Sequence, residues 1–306
     1  EIVLIGLGSL DLDGDGTAEA INGFEGTIAG TLSGTFGHIT HFIGGKTTAD
    51  SLRGMDEAST WTLEGNKITY TNAAIKSVLE NILGTVLPDS VRISVADLEI
   101  LIGGSKEDTF IISGNVPYSL RGGAGDDIFR FIGAAELDGA IDGGNGVNTL
   151  DYGFANYKDT EGNDVGVIVD LSKGQATGVS NALEGKVQNI SNLIGSAYDD
   201  TLIGNDRDNV IAGGKGNDIL EGRGGYNTYI FEEEWGEDTI VNASGQGLLD
   251  LSALGVDWHL VIDLTAKTIT VNAALSGITN NEIRFNGISQ ILAGSGNDTF
   301  IIADRQ

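Results

Sequence analysis

The chain has 306 residues, 40% of them hydrophobic, so it is long enough to bury a sizeable core. Its 17 Lys+Arg against 44 Asp+Glu leave a formal net charge of −27, which disfavours nucleic acid and anionic membrane as partners because both are polyanions. It has no cysteine, so disulfides, Fe–S clusters and Cys-type zinc sites are excluded, and no apolar run approaches the roughly 18 residues of a membrane span.

Glycine supplies 47 residues and proline two, with apolar residues interleaved throughout, so the glycines do not read as a disordered linker. The opening, EIVLIGLGSL, lacks a basic region and is too short for a signal peptide. A chain that begins without Met and stops at IIADRQ reads as a segment of something longer.

In chain order the first chemical signal is DLDGDGTAEAIN (11–22). Asp11, Asp13 and Asp15 before Gly16 match the opening of an EF-hand-like calcium loop, with Thr17 offering a backbone carbonyl. Asn22 stands where the bidentate Glu would, which lowers the expected affinity; the competing reading is a surface turn. His38 and His41 lie in a strand-like stretch, where residues three apart point to opposite faces, so they do not read as a metal site. Residues 73–87 carry Ile75, Val78, Leu79, Ile82 and Leu83 at helical spacing and are predicted as a short helix.

A loose repeat runs through the chain. WTLEGNKIT (61–69), VDLSKGQAT (169–177) and IDLTAKTIT (262–270) share a Leu followed six residues later by Thr. Downstream of each lies an apolar stretch ending in a glycine turn and an acid: LEILIGGSKEDTF (98–110), ISNLIGSAYDDTL (190–202) and ISQILAGSGNDTF (288–300). With a fainter copy at the start, the approximate units are 1–53, 54–148, 149–230 and 231–306, read as one continuous array of short strands bounded by Gly, Asn and Asp.

A tighter repeat lies inside it. GSAYDDTLI, GNDRDNVIA, GGKGNDILE and GRGGYNTYI, from Gly195 to Ile230, align every nine residues. Sixth place holds Asp200, Asn209, Asp218 and Asn227; eighth place holds Leu202, Ile211, Leu220 and Tyr229. Glycine accepts positive φ without steric cost, so such a turn can aim carbonyls inward. Ca²⁺ takes six to eight oxygens, carbonyl and carboxylate together, and a Gly-rich turn ending in Asp supplies both. GGAGDDIFR (122–130) and GGKGNDILE (213–221) match G-G-x-G-x-D-x-U-x best, and AGSGNDTFI (293–301) is close.

These nonamers resemble the RTX, or hemolysin-type, calcium-binding repeat family, over 101–151, 190–231 and 288–302. The resemblance implies an all-β fold, a right-handed parallel β-solenoid, with Ca²⁺ held by its turns. It also implies that successive nonamers alternate between two edges, so turns 18 residues apart stack. Asp200 and Asp218, with Gly195, Gly213, Gly214 and Gly216, then make one good site. Asn209 and Asn227 face the other edge with neutral oxygens, where Asp206 and Asp208 could help; loss of Asn227 is expected to matter little. In the earlier block, Asp108 (with Gly103 and Gly104), Asp127 (with Gly122, Gly123 and Gly125) and Asn148 fall in a column. Lys106 occupies a glycine place there and weakens its turn. Asp298, with Gly294 and Gly296, is a further candidate; for all these acids the competing reading is a solvated turn.

LDYGFANYKD (150–159) offers Tyr152, Tyr157 and Lys158 to a catalytic reading, a calcium-dependent polysaccharide lyase or epimerase, but fold analogy cannot carry an activity. Trp61, Trp235 and Trp258 are too scattered for a sugar platform and are expected in the core. The reading is a non-catalytic calcium-ordered segment of a large secreted or surface-anchored bacterial protein. It would be an adhesin stalk or surface-layer element, facing surface polysaccharide or other copies of itself and inserted in no membrane.

Overall fold

The computed structural model describes 24–28, 32–36, 41–43, 51–53, 58–65, 67–72, 91–96, 99–242, 246–271 and 281–302. The calcium-loop motif at 11–22 and the predicted helix at 73–87 lie outside these residues. The described chain is all-β, with no α-helix and one 3-10 turn at Ser180–Ala182. No helix among the described residues is long and apolar enough to cross a membrane. Two compact units divide it: Glu1–Thr149 with Gly178–Asn189, and Leu150–Thr177 with Ile190–Gln306.

In the first unit, strands Ser59–Glu64, Asp108–Val116 and Ile128–Leu137 pair in parallel. Their register puts Trp61 opposite Phe110 and Phe110 opposite Phe129. The three rings stack, with centroids 6.0 Å and 5.1 Å apart and near-parallel planes. A second parallel set runs Ser51–Arg53, Ile100–Ile102, Ser119–Ala124, Ile141–Asn145 and Val187–Gln188. Leu101, Leu120, Ile141 and Val187 share one register column there and are buried. Parallel in-register pairing places like on like, so one side-chain position repeated down the chain becomes one continuous core stripe. Phe110 fills the middle of the aromatic stack; Phe110→Ala is expected to destabilise the unit by about 3–5 kcal/mol, read from denaturant midpoints.

The second unit shows the nine-residue rhythm directly. Thr201–Ile203, Val210–Ala212 and Ile219–Glu221 are three-residue strands whose middle residue is buried. Strands 18 residues apart pair in parallel, Thr201–Ile203 with Ile219–Glu221 and Asn192–Ile194 with Val210–Ala212. Two core stripes result: Val169, Leu202, Leu220, Ile240 and Phe285 in one sheet, and Leu193, Ile211, Tyr229, Leu249 and Ile291 in the other. Trp235 packs edge-on to Phe231 and 5.1 Å from Trp258, both indoles buried.

The looser repeat is a hairpin in the three copies at 61–69, 169–177 and 262–270. Ser59–Glu64 pairs antiparallel with Lys67–Asn72, Ile168–Asp170 with Gln175–Ala176, and Leu260–Asp263 with Thr268–Val271. Its apolar residues face each other in register, Leu63 on Ile68 and Ile262 on Ile269. Antiparallel ribbons therefore stand beside the parallel rows of each unit.

Candidate metal centre

Each sixth-place residue stands at the junction of turn and strand, as the first residue of the strand or the one just before it, and is buried. Parallel stacking brings these residues into columns. In the second unit the Asp200 N–H donates to Asp218 Oδ1 at 2.8 Å, and the Asp218 N–H donates to Asp238 Oδ1 at 2.7 Å. In the first unit the Asp108 N–H donates to Asp127 Oδ1 at 2.8 Å and the Asp127 N–H to Asn148 Oδ1 at 2.9 Å. One side-chain oxygen per row thus satisfies the backbone N–H of the row before it.

The other oxygen decides what the column can do. Asp108 Oδ2 accepts from the Gly104 N–H at 2.5 Å, and Ser59 caps Oδ1 through its N–H and hydroxyl. Asp200 is likewise filled: Val167 N–H and the Ser196 hydroxyl reach Oδ1, and Ser196 N–H reaches Oδ2 at 2.5 Å. Asp127, Asp218 and Asp238 differ. Their Oδ2 atoms are buried without a hydrogen-bond partner. Burial pushes the Asp127 and Asp238 carboxyls up to about 7, Asp218 to about 8 and Asp200 to about 6, against the pull of the N–H donors. Neighbouring carboxylates add to the rise at Asp218. Such groups stay neutral or take a cation, because an unpaired buried charge is costly.

Backbone oxygens crowd the same places. A Cβ on first-place Gly122 would strike Asp127 Oδ2 and lie 2.5 Å from the Gly143 carbonyl oxygen. A Cβ on Gly195 would strike both Asp200 Oδ2 and the Gly213 carbonyl oxygen. Second-place Gly214 has φ +100 and lies against the Ser196 carbonyl; Gly123, at φ +108, lies against the Gly104 carbonyl. Among the described residues no three His, Cys, Asp or Glu side chains gather at one point, so a cation here would draw on carbonyls as well as on the column acids. That donor set is all oxygen, and it suits Ca²⁺.

The opposite edge of the second unit is built differently. Asn209 N–H donates to Asn227 Oδ1 at 3.0 Å, and Asn227 Nδ2 donates to Asn242 Oδ1 and to the Gly224 carbonyl, both at 2.9 Å. Asn209 Nδ2 reaches the Ser191 carbonyl. Both oxygens and nitrogens are used, and Arg207 and Arg223 occupy turn positions where the other edge has Gly216 and Gly214. Asp206 and Asp208 are exposed, and Asp208 Oδ1 accepts from the Tyr226 N–H, so neither turns inward to help this edge.

Residues 194–229 match the RTX calcium-binding nonapeptide repeat, in four copies. RTX repeats bind Ca²⁺, and calcium is the cofactor they bring to this chain. A comparison with curated proteins finds no match. The matched RTX segment covers Asp200, Asn209, Asp218 and Asn227, while Asp127 and Asp238 lie outside it.

The remaining sequence candidates fall apart from these columns. Asp298 is half-buried; its Oδ1 accepts from the Leu260 N–H, and the adjacent Asn297 N–H goes to His259 Nδ1 rather than to an acid. Gly294 and Gly296 are not in the left-handed region, so that turn is not folded like the one at 213–218. Asp11, Asp13, Asp15 and Thr17 lie outside the described residues. Sequence reasoning missed Ser59, Asp238 and Asn242. Asp238 could have been found from GEDTI, which repeats the acid–strand junction of DDTL and NDIL at a step of 20 residues instead of 18. It also missed a parallel outer ladder in fifth place, where Asp199 accepts from the Asn217 N–H, Asn217 from the Glu237 N–H and Asp126 from the Val147 N–H.

Proposed function

We propose that this chain is a non-catalytic structural segment of a large secreted or cell-surface bacterial protein, ordered by Ca²⁺. In this reading each unit is a right-handed parallel β-solenoid serving as an adhesin stalk or surface-layer element. The carrying observation is the set of buried Oδ2 atoms without partners at Asp127 and Asp218, each held against the first glycine of its own turn, Gly122 and Gly213, where no Cβ would fit. Asp218, with Asp200 and the turns at 195 and 213, would hold calcium in the second unit; Asp127, between Asp108 and Asn148, would do so in the first. Calcium there supplies positive charge that neutralises the columns, and the folded turns supply oxygens already in place.

Location outside the cell is supported by the occurrence of RTX repeats in secreted bacterial proteins. Extracellular calcium modules work with dissociation constants of about 10⁻⁴–10⁻³ M, concentrations that would leave such a chain metal-free before export. Surface polysaccharide or further copies of the same protein are its partners in this reading. The catalytic alternative finds no support at 150–159. Tyr152 is buried with its hydroxyl on the Thr177 carbonyl at 2.6 Å, and Lys158 pairs with Asp164.

Titration calorimetry of metal-free protein with Ca²⁺ and with Mg²⁺ tests the reading. Calcium should bind and magnesium should bind far more weakly, because Mg²⁺ demands a tight octahedral shell and gives up its waters reluctantly. Absence of calcium binding up to several millimolar would overturn it.

A further inference from the structure

We propose that Asp218 and Asp238 together hold a divalent cation one row beyond the matched repeats, Ca²⁺ being the ion in question; this rests on the calcium reading above. The two acids are neighbours in one column, the Asp218 N–H donating to Asp238 Oδ1 at 2.7 Å. That bond uses one oxygen of Asp238, and the Asp200 N–H uses one of Asp218. Both Oδ2 atoms remain, both buried and both without a hydrogen-bond partner, in consecutive rows. Asp218 is 1% exposed and Asp238 0%.

The turn before Asp238 departs from the nonamer, EEEWGED against GGKGND, yet folds onto the row above it. Gly236 has φ +88 and lies so close to the Gly216 carbonyl that no Cβ would fit. Glu237 N–H bonds Asn217 Oδ1 at 2.9 Å, and Thr239 N–H bonds the Asp218 carbonyl at 2.8 Å. The two extra residues are absorbed by the turn, and Trp235 inserts into the core against Phe231 and Trp258. The nearby cation, Lys215, is paired with Glu234 on the exposed side of the same two turns. Two buried carboxylates in adjacent rows, each with a buried Oδ2 to spare, match the charge and the hard oxygen donors that a divalent ion takes.

Asp238→Asn tests this, because the amide keeps the Oδ1 acceptor for the Asp218 N–H and removes the charge. Calcium per chain is counted by equilibrium dialysis for the wild type, Asp238→Asn and the charge-matched surface variant Asp257→Asn. Asp238→Asn should bind one ion fewer, or bind one ion at least tenfold more weakly, while Asp257→Asn matches the wild type. Wild-type stoichiometry and affinity in Asp238→Asn would overturn the inference and leave the calcium reading standing; a wild type that binds no calcium would remove both. Hydrogen exchange on the unmodified protein gives a readout that needs no variant. Added calcium should protect the amides of 233–238 as well as those of 213–218, and protection confined to 213–218 would overturn the inference.

Discussion

Metal-free protein is expected to melt well below the calcium-loaded protein at pH 8, with the gap closing as the pH falls toward 5. Each site occupied at a hundredfold excess over its dissociation constant adds about 2.7 kcal/mol to stability, provided the unfolded chain does not bind. The pH dependence follows from the column acids. In the absence of metal, burial raises Asp127 and Asp238 to about 7, Asp218 to about 8 and Asp200 to about 6, all above the ordinary aspartate value of 3.8. Between those limits the folded chain holds protons that the unfolded chain has released, so stability falls as pH rises. It is fully present below about pH 4 and is lost through pH 6–8. The overall charge of −27 pushes in the same direction by self-repulsion. Calcium replaces those protons, so its affinity should climb over the same interval. Thermal melts by far-UV circular dichroism at pH 5 and pH 8, with and without millimolar calcium, check this. A metal-free melting temperature that rises with pH, or no calcium effect at pH 8, would contradict it.

The two edges of the second unit should respond to mutation in different ways. Asp218→Ala removes the acid that stands between Asp200 and Asp238, and it should lower calcium affinity and abolish much of the calcium-dependent rise in melting temperature. Asn227→Ala should leave calcium affinity unchanged and still destabilise the fold. Its Oδ1 is the acceptor for the Asn209 N–H, and its Nδ2 serves Asn242 and Gly224 inside a buried column. Leaving a buried donor unsatisfied costs about 1–3 kcal/mol. That loss should be equal with and without metal, which separates it from the loss at Asp218. The comparison is a calcium titration and a pair of melts for each variant. Equal falls in calcium affinity would mean that both edges carry ions.

This second expectation corrects what composition of the turn suggested. A neutral amide opposite an acidic edge reads as a weak metal position whose loss is cheap. The fold makes Asn227 a fully bonded part of the interior instead, because its side chain accepts from the Asn209 N–H and donates to the Gly224 carbonyl and to Asn242 Oδ1.

Much of the architecture was legible because it is local and periodic. A turn of six residues and a strand of three returns the same side chain to the same place every second repeat. The sequence by itself determined the short strands and the eighth-place residues that form the core stripes, while the expectation that Asp200 and Asp218 share one edge and Asn209 and Asn227 the other came from the resemblance to RTX repeats. The sequence also determined the acid-rich, all-oxygen chemistry of the turns. Only the tertiary structure decided which carboxylates have an oxygen to spare. Asp108 and Asp200 carry the same motif residue as Asp127 and Asp218, but Ser59 lies above the first, and Val167 and Ser196 surround the second. Ser59 and Val167 are 49 and 33 residues away in the chain, each two positions before its copy of the looser repeat, so the nine-residue rhythm alone does not reveal them. Asp238 left a fainter trace, the GEDTI junction, but its place in the column depends on a turn two residues too long, anchored by a tryptophan in the core. Hydrogen-bond satisfaction is a property of everything that surrounds a buried atom, and that surrounding is assembled from distant chain.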